Sequence, residues 1–198
     1  YLQRVSGSRL KIISEPNRAI KLEADIESEM IIIDILRDKS NFPILTEEQG
    51  SIEIENVVVD GKYKWIVDPL DGSMNFARGF DICCVSIALW ENNNPILGVV
   101  YDFNREELFK GLISEGAWLN DNKIYASKIS MESDAVLATG FPVSMNFSQK
   151  SLSAFTKNFS KYKKIRMIGS AALSLAYVAS GRFDIYREKN IKIWDVAA

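Results

Sequence analysis

Apolar positions in LEADIESEMIIIDILRDK, Leu22 to Lys39, recur at helical spacing, with acids crowding the first turns and Arg37 and Lys39 closing the last. That charge order suits the helix macrodipole and predicts a helix, which Pro43 prevents from continuing. The period then changes. Ile44 to Thr46 predicts a short strand opening into an acidic turn with Gly50, and YKWIVD predicts a second strand. CVSIALW, PILGVVYD and ELFKGLI predict a meander broken by the turn segments ENNN and FNRE, and EGAWLNDNKIYAS adds a hairpin that turns at Asn-Asp-Asn. After about residue 130 the order alternates. Strand VLATGF, a helix near Ser148 to Phe159, strand KIRMIG, helix SAALSLAYVAS closed by Gly181, strand RFDIYRE and a helix starting at Asp195 follow in turn. The pattern predicts an α+β domain over residues 1–133 and the start of an α/β domain over residues 134–198. Tyr1 is not an initiator methionine and the chain stops as WDVAA begins a helix. A longer polypeptide is expected, with the second domain incomplete at its C-terminus.

Composition narrows the chemistry. The 198 residues are 47% hydrophobic and 25% charged, enough for one large or two small cores. A net charge of −2 makes no electrostatic case for direct nucleic-acid binding, and KYKKIR, the densest basic run, reads as a solvated loop or helix end. No apolar run is long enough for a membrane span and no signal-peptide pattern is visible. Cys83 and Cys84 are adjacent, where a normal disulfide is strained, and in a strand they point to opposite faces. A reducing, cytoplasmic setting is expected. Histidine is absent, which removes His-dependent triads and His-rich metal sites. Acid–base or metal chemistry must come from carboxylates, hydroxyls, lysine and water.

WIVDPLDGSMNF, Trp65 to Phe76, drives an apolar strand into two acids held by a proline turn. Charge at the end of a buried strand is costly unless paired. Proline restricts its own φ and the residue before it, so Asp68 and Asp71 can converge with the Leu70 carbonyl between them. Hard oxygen donors suit Mg²⁺ or Mn²⁺, and N–H groups of Gly72 and Ser73 at a helix start suit a phosphate. Alone, such a turn is more often a solvated loop or a cap. Acids recur at other element ends, however: Glu47 and Glu48 after ILT, Asp195 after IKIW, and Asp25 in the first turn of the early helix. Together they supply the oxygen ligands that a pair of divalent ions requires.

These segments resemble the inositol monophosphatase family. WIVDPLDGSMNF is similar to its first signature, IWDVAA to its second, LTEEQG to its Glu-Glu segment, and GSAALSLAYVASGRFDIYRE to its sugar-binding segment. The resemblance runs from about Asp25 to the last residue in the family's order and approximate spacing. It implies a layered α/β/α/β/α sandwich and Mg²⁺-dependent hydrolysis of small phosphate monoesters, most simply inositol 1-phosphate. By motif, Glu47, Asp68, the Leu70 carbonyl and Asp71 would ligate one ion, and Asp68, Asp71 and Asp195 a second. Ser73, in place of the usual threonine, would position the attacking water with Asp25, and Glu48 would act just behind. Glu188 would accept a hydrogen bond from a sugar hydroxyl, with Gly169, Ser170 and Ala171 lining the sugar and Gly72 and Ser73 holding phosphate.

The resemblance also implies an often homodimeric enzyme acting on a small phosphorylated polyol or sugar. Two departures stand out. Ser14 falls near a position in the segment before Asp25 where the family commonly carries a lysine or an acidic loop, and Lys21-Leu22-Glu23-Ala24 replaces the usual Val-Thr-x-x approach to Asp25. Fructose-1,6-bisphosphatase or a dual-specificity phosphatase is the runner-up activity. Phosphoadenosine phosphate phosphatases usually read Lys-Glu-Phe where this chain has Met74-Asn75-Phe76. Some bacterial relatives also serve as transcription-antitermination partners, a role that retains the phosphatase site.

Overall fold

The computed structural model describes residues 1–5, 11–14, 21–52, 62–142 and 145–198. A short helix α1 (Leu2–Val5) is followed by a small antiparallel pair, β1 (Ile12–Ser14) and β2 (Lys21–Leu22), which feeds directly into helix α2 (Glu23–Lys39). Residues 15–20 and the side chain of Ser14, on which one departure from the family pattern falls, lie outside the described residues.

The main sheet has eight strands. They are β3 (Ile44–Thr46), β4 (Gly50–Ile52), β5 (Tyr63–Asp71), β6 (Cys84–Glu91), β7 (Asn94–Asp102), β8 (Glu107–Leu112), β9 (Gly116–Leu119) and β10 (Asn122–Ile124). Their order across the sheet is β10-β9-β8-β7-β6-β5-β3-β4. Every neighbouring pair is antiparallel except β3 with β5, which run parallel. The meander and hairpin read from period-two patterning form this sheet; β5 extends through the whole Asp-Pro-Leu-Asp turn, and a short helix α3 (Ser73–Ala77) follows it.

A second sheet holds three parallel strands, with β11 (Val136–Ala138) between β12 (Lys164–Arg166) and β13 (Ile185–Tyr186). Helices α4 (Gln149–Thr156) and α5 (Ala171–Ala179) complete the chain's regular elements among the described residues. α5 packs against β6 and β7 on one side and β13 on the other, whereas α2 packs on the opposite face of the large sheet. The result is a layered sandwich: α2, eight-stranded sheet, α5, three-stranded sheet, α4.

Several expected elements are shorter than their sequence patterns. VLATGF, KIRMIG and RFDIYRE keep strand geometry only over β11, β12 and β13, because a three-stranded sheet gives each flank few backbone partners. The helix expected from Ser148 to Phe159 ends at Thr156 and resumes as a 3₁₀ turn, Phe159–Lys161. The helix expected to start at Asp195 is a 3₁₀ turn, Trp194–Val196, with Asp195 inside it.

Cys83 and Cys84 are both buried and free. They face opposite sides of the large sheet: Cys83 joins Leu22, Ala24, Leu70 and Phe76 on the α2 side, and Cys84 joins Val100, Ala172 and Leu173 on the α5 side. The paired cysteines thus mark the two cores between which the acidic motif sits.

Candidate active site

Side chains alternate along a strand, so residues 68 and 71 of an unbroken β5 would face opposite ways. The register prevents this. Asp68 lies opposite Ser86 and Asp71 opposite Cys84, so three steps on β5 match two on β6. The extra residue is a β-bulge at Pro69-Leu70, where proline has no N–H to lose from the ladder. Both aspartates consequently face the α5 side. Gly72, at φ +89°, then turns the chain, and a Cβ there would lie 2.8 Å from the Ile82 carbonyl oxygen. Only glycine fits both constraints.

α2 supplies the opposite wall. Asp25 Oδ2 accepts the Leu22 N–H at 2.6 Å, and its Oδ1 lies 2.9 Å from Ser73 Oγ. Ser73 Oγ is also 2.9 Å from the Leu70 carbonyl oxygen, so its single proton serves one acceptor at a time. Glu47 leaves β3 with an exposed side chain. Glu48 does not stand free: its carboxylate pairs with Lys21 Nζ and its backbone N–H donates to Glu29 Oε2 at 3.0 Å.

Asp71 is tied to α5. Its Oδ2 accepts from Ser170 Oγ at 2.6 Å and from the Ala172 N–H at 2.7 Å, while Ser170 also caps the helix by accepting the Leu173 N–H at 3.2 Å. Gly169, at φ +75°, abuts the Asn75 amide, whose Nδ2 lies 2.8 Å from both the Ile82 and Ile168 carbonyl oxygens. Asn75 therefore stitches the first motif to the Gly-Ser-Ala segment. Its place inside the first signature assigns it no role, because the tie spans 93 residues and has no local pattern. Glu188 is half-buried, packs over Gly140 and accepts from the Tyr186 hydroxyl at 2.9 Å.

The acids perturb one another. Asp68 is pushed well above the usual carboxylate range, first by burial and then by Asp71, Glu47 and Asp195. Asp71 and Asp25 are each pushed up to about 6, chiefly by burial. Asp195 is also raised by burial, and a hydrogen bond from Asp68 draws it partly back. Glu47 is raised as well, by desolvation and then by Asp195, Glu48, Asp25 and Asp71. Because its side chain reaches solvent, water tempers the burial contribution and the surrounding acids carry the direction.

The group is short of positive charge. Among the described residues Lys21 pairs with Glu48, and Lys192 lies near Asp195; no ion pair reaches Glu47, Asp68 or Asp71. The all-oxygen donor set and this deficit fit Mg²⁺ or Mn²⁺. The ligand set expected from the motifs is not gathered into a ready shell, and among the described residues no three such side chains converge tightly. One Asp71 oxygen serves α5, the Leu70 carbonyl faces Ser73, and a hydrogen bond links Asp68 to Asp195. A protonated acid does for the cluster what a cation would do, by removing like-charge repulsion.

The sandwich with acids at its bulged strand defines a class, and comparison with known proteins agrees with it. The chain belongs to the inositol monophosphatase family, whose pattern it matches over residues 7–198. It is 38% identical to Nus factor SuhB of Xylella fastidiosa over 96% of its length, and 36% identical to inositol-1-monophosphatase of Synechocystis, also over 96%. It covers 67% and 66% of those two proteins and 64% of Nus factor SuhB of Pasteurella multocida, so it spans about two-thirds of the length of such relatives. Its structure resembles the crystal structure of extragenic suppressor protein SuhB from Bartonella henselae with a TM-score of 0.90 at 35% identity, covering 100% of this chain and 76% of that one.

Proposed function

We propose that the protein hydrolyses a small phosphate monoester with Mg²⁺, inositol 1-phosphate being the first choice of substrate. The supporting observation is the acid group Glu47, Asp68, Asp71 and Asp195, short of positive charge and set beside the Ser73–Asp25 pair. Glu47, Asp68, Asp71, Asp195 and the Leu70 carbonyl would hold Mg²⁺, or Mn²⁺ in its place. When bound, such ions supply Lewis acidity toward phosphoryl oxygens and lower the pKa of coordinated water.

The chain's own residues do the rest. Asp25, at about 6, is mostly ionised at neutral pH and accepts from the Ser73 hydroxyl. That leaves the Ser73 lone pairs to accept from an attacking water, with Asp25 the final resting place for a proton. Gly72 and Ser73 N–H groups hold phosphate oxygens, Glu48 steadies the turn that carries Glu47, and Gly169, Ser170, Ala171 and Glu188 face the sugar. No histidine is required.

Phosphate release should vanish in EDTA and return with added Mg²⁺, measured on inositol 1-phosphate, fructose 1,6-bisphosphate and phosphoadenosine phosphate. Full turnover in EDTA would refute the metal reading, and a preference for the bisphosphate would move the substrate to the runner-up. Glu188→Gln should weaken turnover of inositol 1-phosphate about 10- to 100-fold more than that of p-nitrophenyl phosphate, since a buried polar mismatch costs roughly 1–3 kcal/mol. Equal losses on both would make Glu188 structural.

A second reading rests on the name Nus factor SuhB carried by several relatives. Under it the chain is a transcription-antitermination partner that keeps the phosphatase site, and a variant without turnover would still assemble. A homodimer in the cytoplasm is the setting we propose for either role. Among the described residues no helix is long and apolar enough to cross a membrane.

A further inference from the structure

The buried side of α2 holds Ala24 and Ile33, and between them three polar residues where apolar ones are expected. Asp25, Ser28 and Glu29 are 2%, 5% and 0% exposed, whereas Met30, Ile31 and Ile35 are 54%, 43% and 57% exposed. Residues at i, i+3 and i+4 share one helix face. Each of these three makes one bond to a different part of the candidate site. Asp25 meets Ser73; Ser28 Oγ donates to the Pro69 carbonyl at 3.0 Å, inside the bulge; Glu29 Oε2 accepts the Glu48 N–H at 3.0 Å. Glu29 Oε1 is buried with no hydrogen-bond partner among the described residues. Burying a carboxyl with one oxygen unused is costly, and an apolar side chain would pack there at lower cost. The Glu29–Glu48 bond spans 19 residues and the Ser28–Pro69 bond 41, so one helical turn holds both acid-bearing turns.

We propose that Ser28 and Glu29 are positioning residues: they fix the Glu47–Glu48 turn relative to the Asp68–Asp71 bulge, so that Glu47 can enter the same cation shell as the aspartates. Nothing in this needs either residue to touch an ion. Lys21, paired with the Glu48 carboxylate, braces the same turn from outside. The inference rests on the metal reading above and goes beyond it in naming what sets the geometry.

The test uses the full chain and Mn²⁺, with bound ion counted by electron paramagnetic resonance, so that turnover is not needed. Glu29→Met removes the acceptor for the Glu48 N–H and should weaken Mn²⁺ binding about 10- to 100-fold, the range typical for losing a group that orients a ligand. Glu29→Gln keeps an acceptor oxygen and should bind Mn²⁺ close to wild type. Ser28→Ala, which leaves a smaller defect, should also weaken binding and serves if Glu29→Met does not fold. Wild-type Mn²⁺ affinity in Ser28→Ala, and in Glu29→Met where it folds, with only the melting temperature in EDTA lowered, would make these residues structural staples and overturn the inference alone. A wild type that binds no Mn²⁺ would overturn the metal reading and this inference with it.

Discussion

Asp68→Asn should melt at a higher temperature than wild type in EDTA, yet lose more than about 100-fold in turnover and most of the Mg²⁺-dependent rise in melting temperature. Asp68 is 1% exposed and faces three other acids across the site. Its Oδ1 accepts the Leu70 N–H at 3.0 Å, a bond that an asparagine oxygen can keep. The asparagine NH₂ can also still donate toward Asp195. The substitution therefore removes a buried charge problem while leaving the hydrogen bonds in place. A gain of about 1 kcal/mol corresponds to roughly 2–4 °C for a chain of this size. Asp71 is the poorer test, because its Oδ2 also caps the first turn of α5 and its loss would unsettle a helix as well as the site. Paired melting curves with and without Mg²⁺ decide the matter. A strongly destabilised Asp68→Asn in EDTA would show that the acid is a structural element and that any cation site lies elsewhere.

The second large effect is on pH. Asp25 and Asp71 titrate near 6 in the native state, against about 4 in an unfolded chain, and Asp68, Glu47 and Asp195 are raised too. Between those values the native state binds more protons than the unfolded one, so stability falls as pH rises. Their contribution is fully present below about pH 4 and is lost as pH climbs through 6 and beyond. Glu91 and Glu107, lowered by hydrogen bonds from Lys62 and Arg182, act in the opposite sense, but their window closes near the unfolded carboxylate value, below the one tested.

The metal-free protein should thus lose on the order of 2 kcal/mol between pH 5 and 8, roughly 4–8 °C in melting temperature. Saturating Mg²⁺ should reverse the trend, because cations bind the deprotonated acids and replace the protons that held them. The rise in melting temperature caused by Mg²⁺ should accordingly grow from pH 6 to 8. A metal-free melting temperature that stays flat or increases over the same range would mean that burial does not raise these acids in the native state.

Local patterning and motif order carried much of this protein. The α2 helix, the β6–β8 meander, the β9–β10 hairpin and α5 are visible because period and turn residues are local properties, and four ordered signatures placed the chain in its family. The tertiary structure alone decided what those elements do to the acids. Alternation would have separated Asp68 from Asp71; a bulge, which exists only in the pairing of β5 with β6, puts them on one face. The apolar spacing of α2 announced a helix, but its N-terminal half turns Asp25, Ser28 and Glu29 inward, because the partners for those groups lie in segments distant in sequence. Lys21 looked like a departure from the family pattern, and its ion pair with Glu48 appears only once β2 is folded beside the turn after β3. Periodicity reports which positions repeat along the chain. Whether a buried polar position is a defect or a connection depends on what sits across from it, and that is settled by long-range packing.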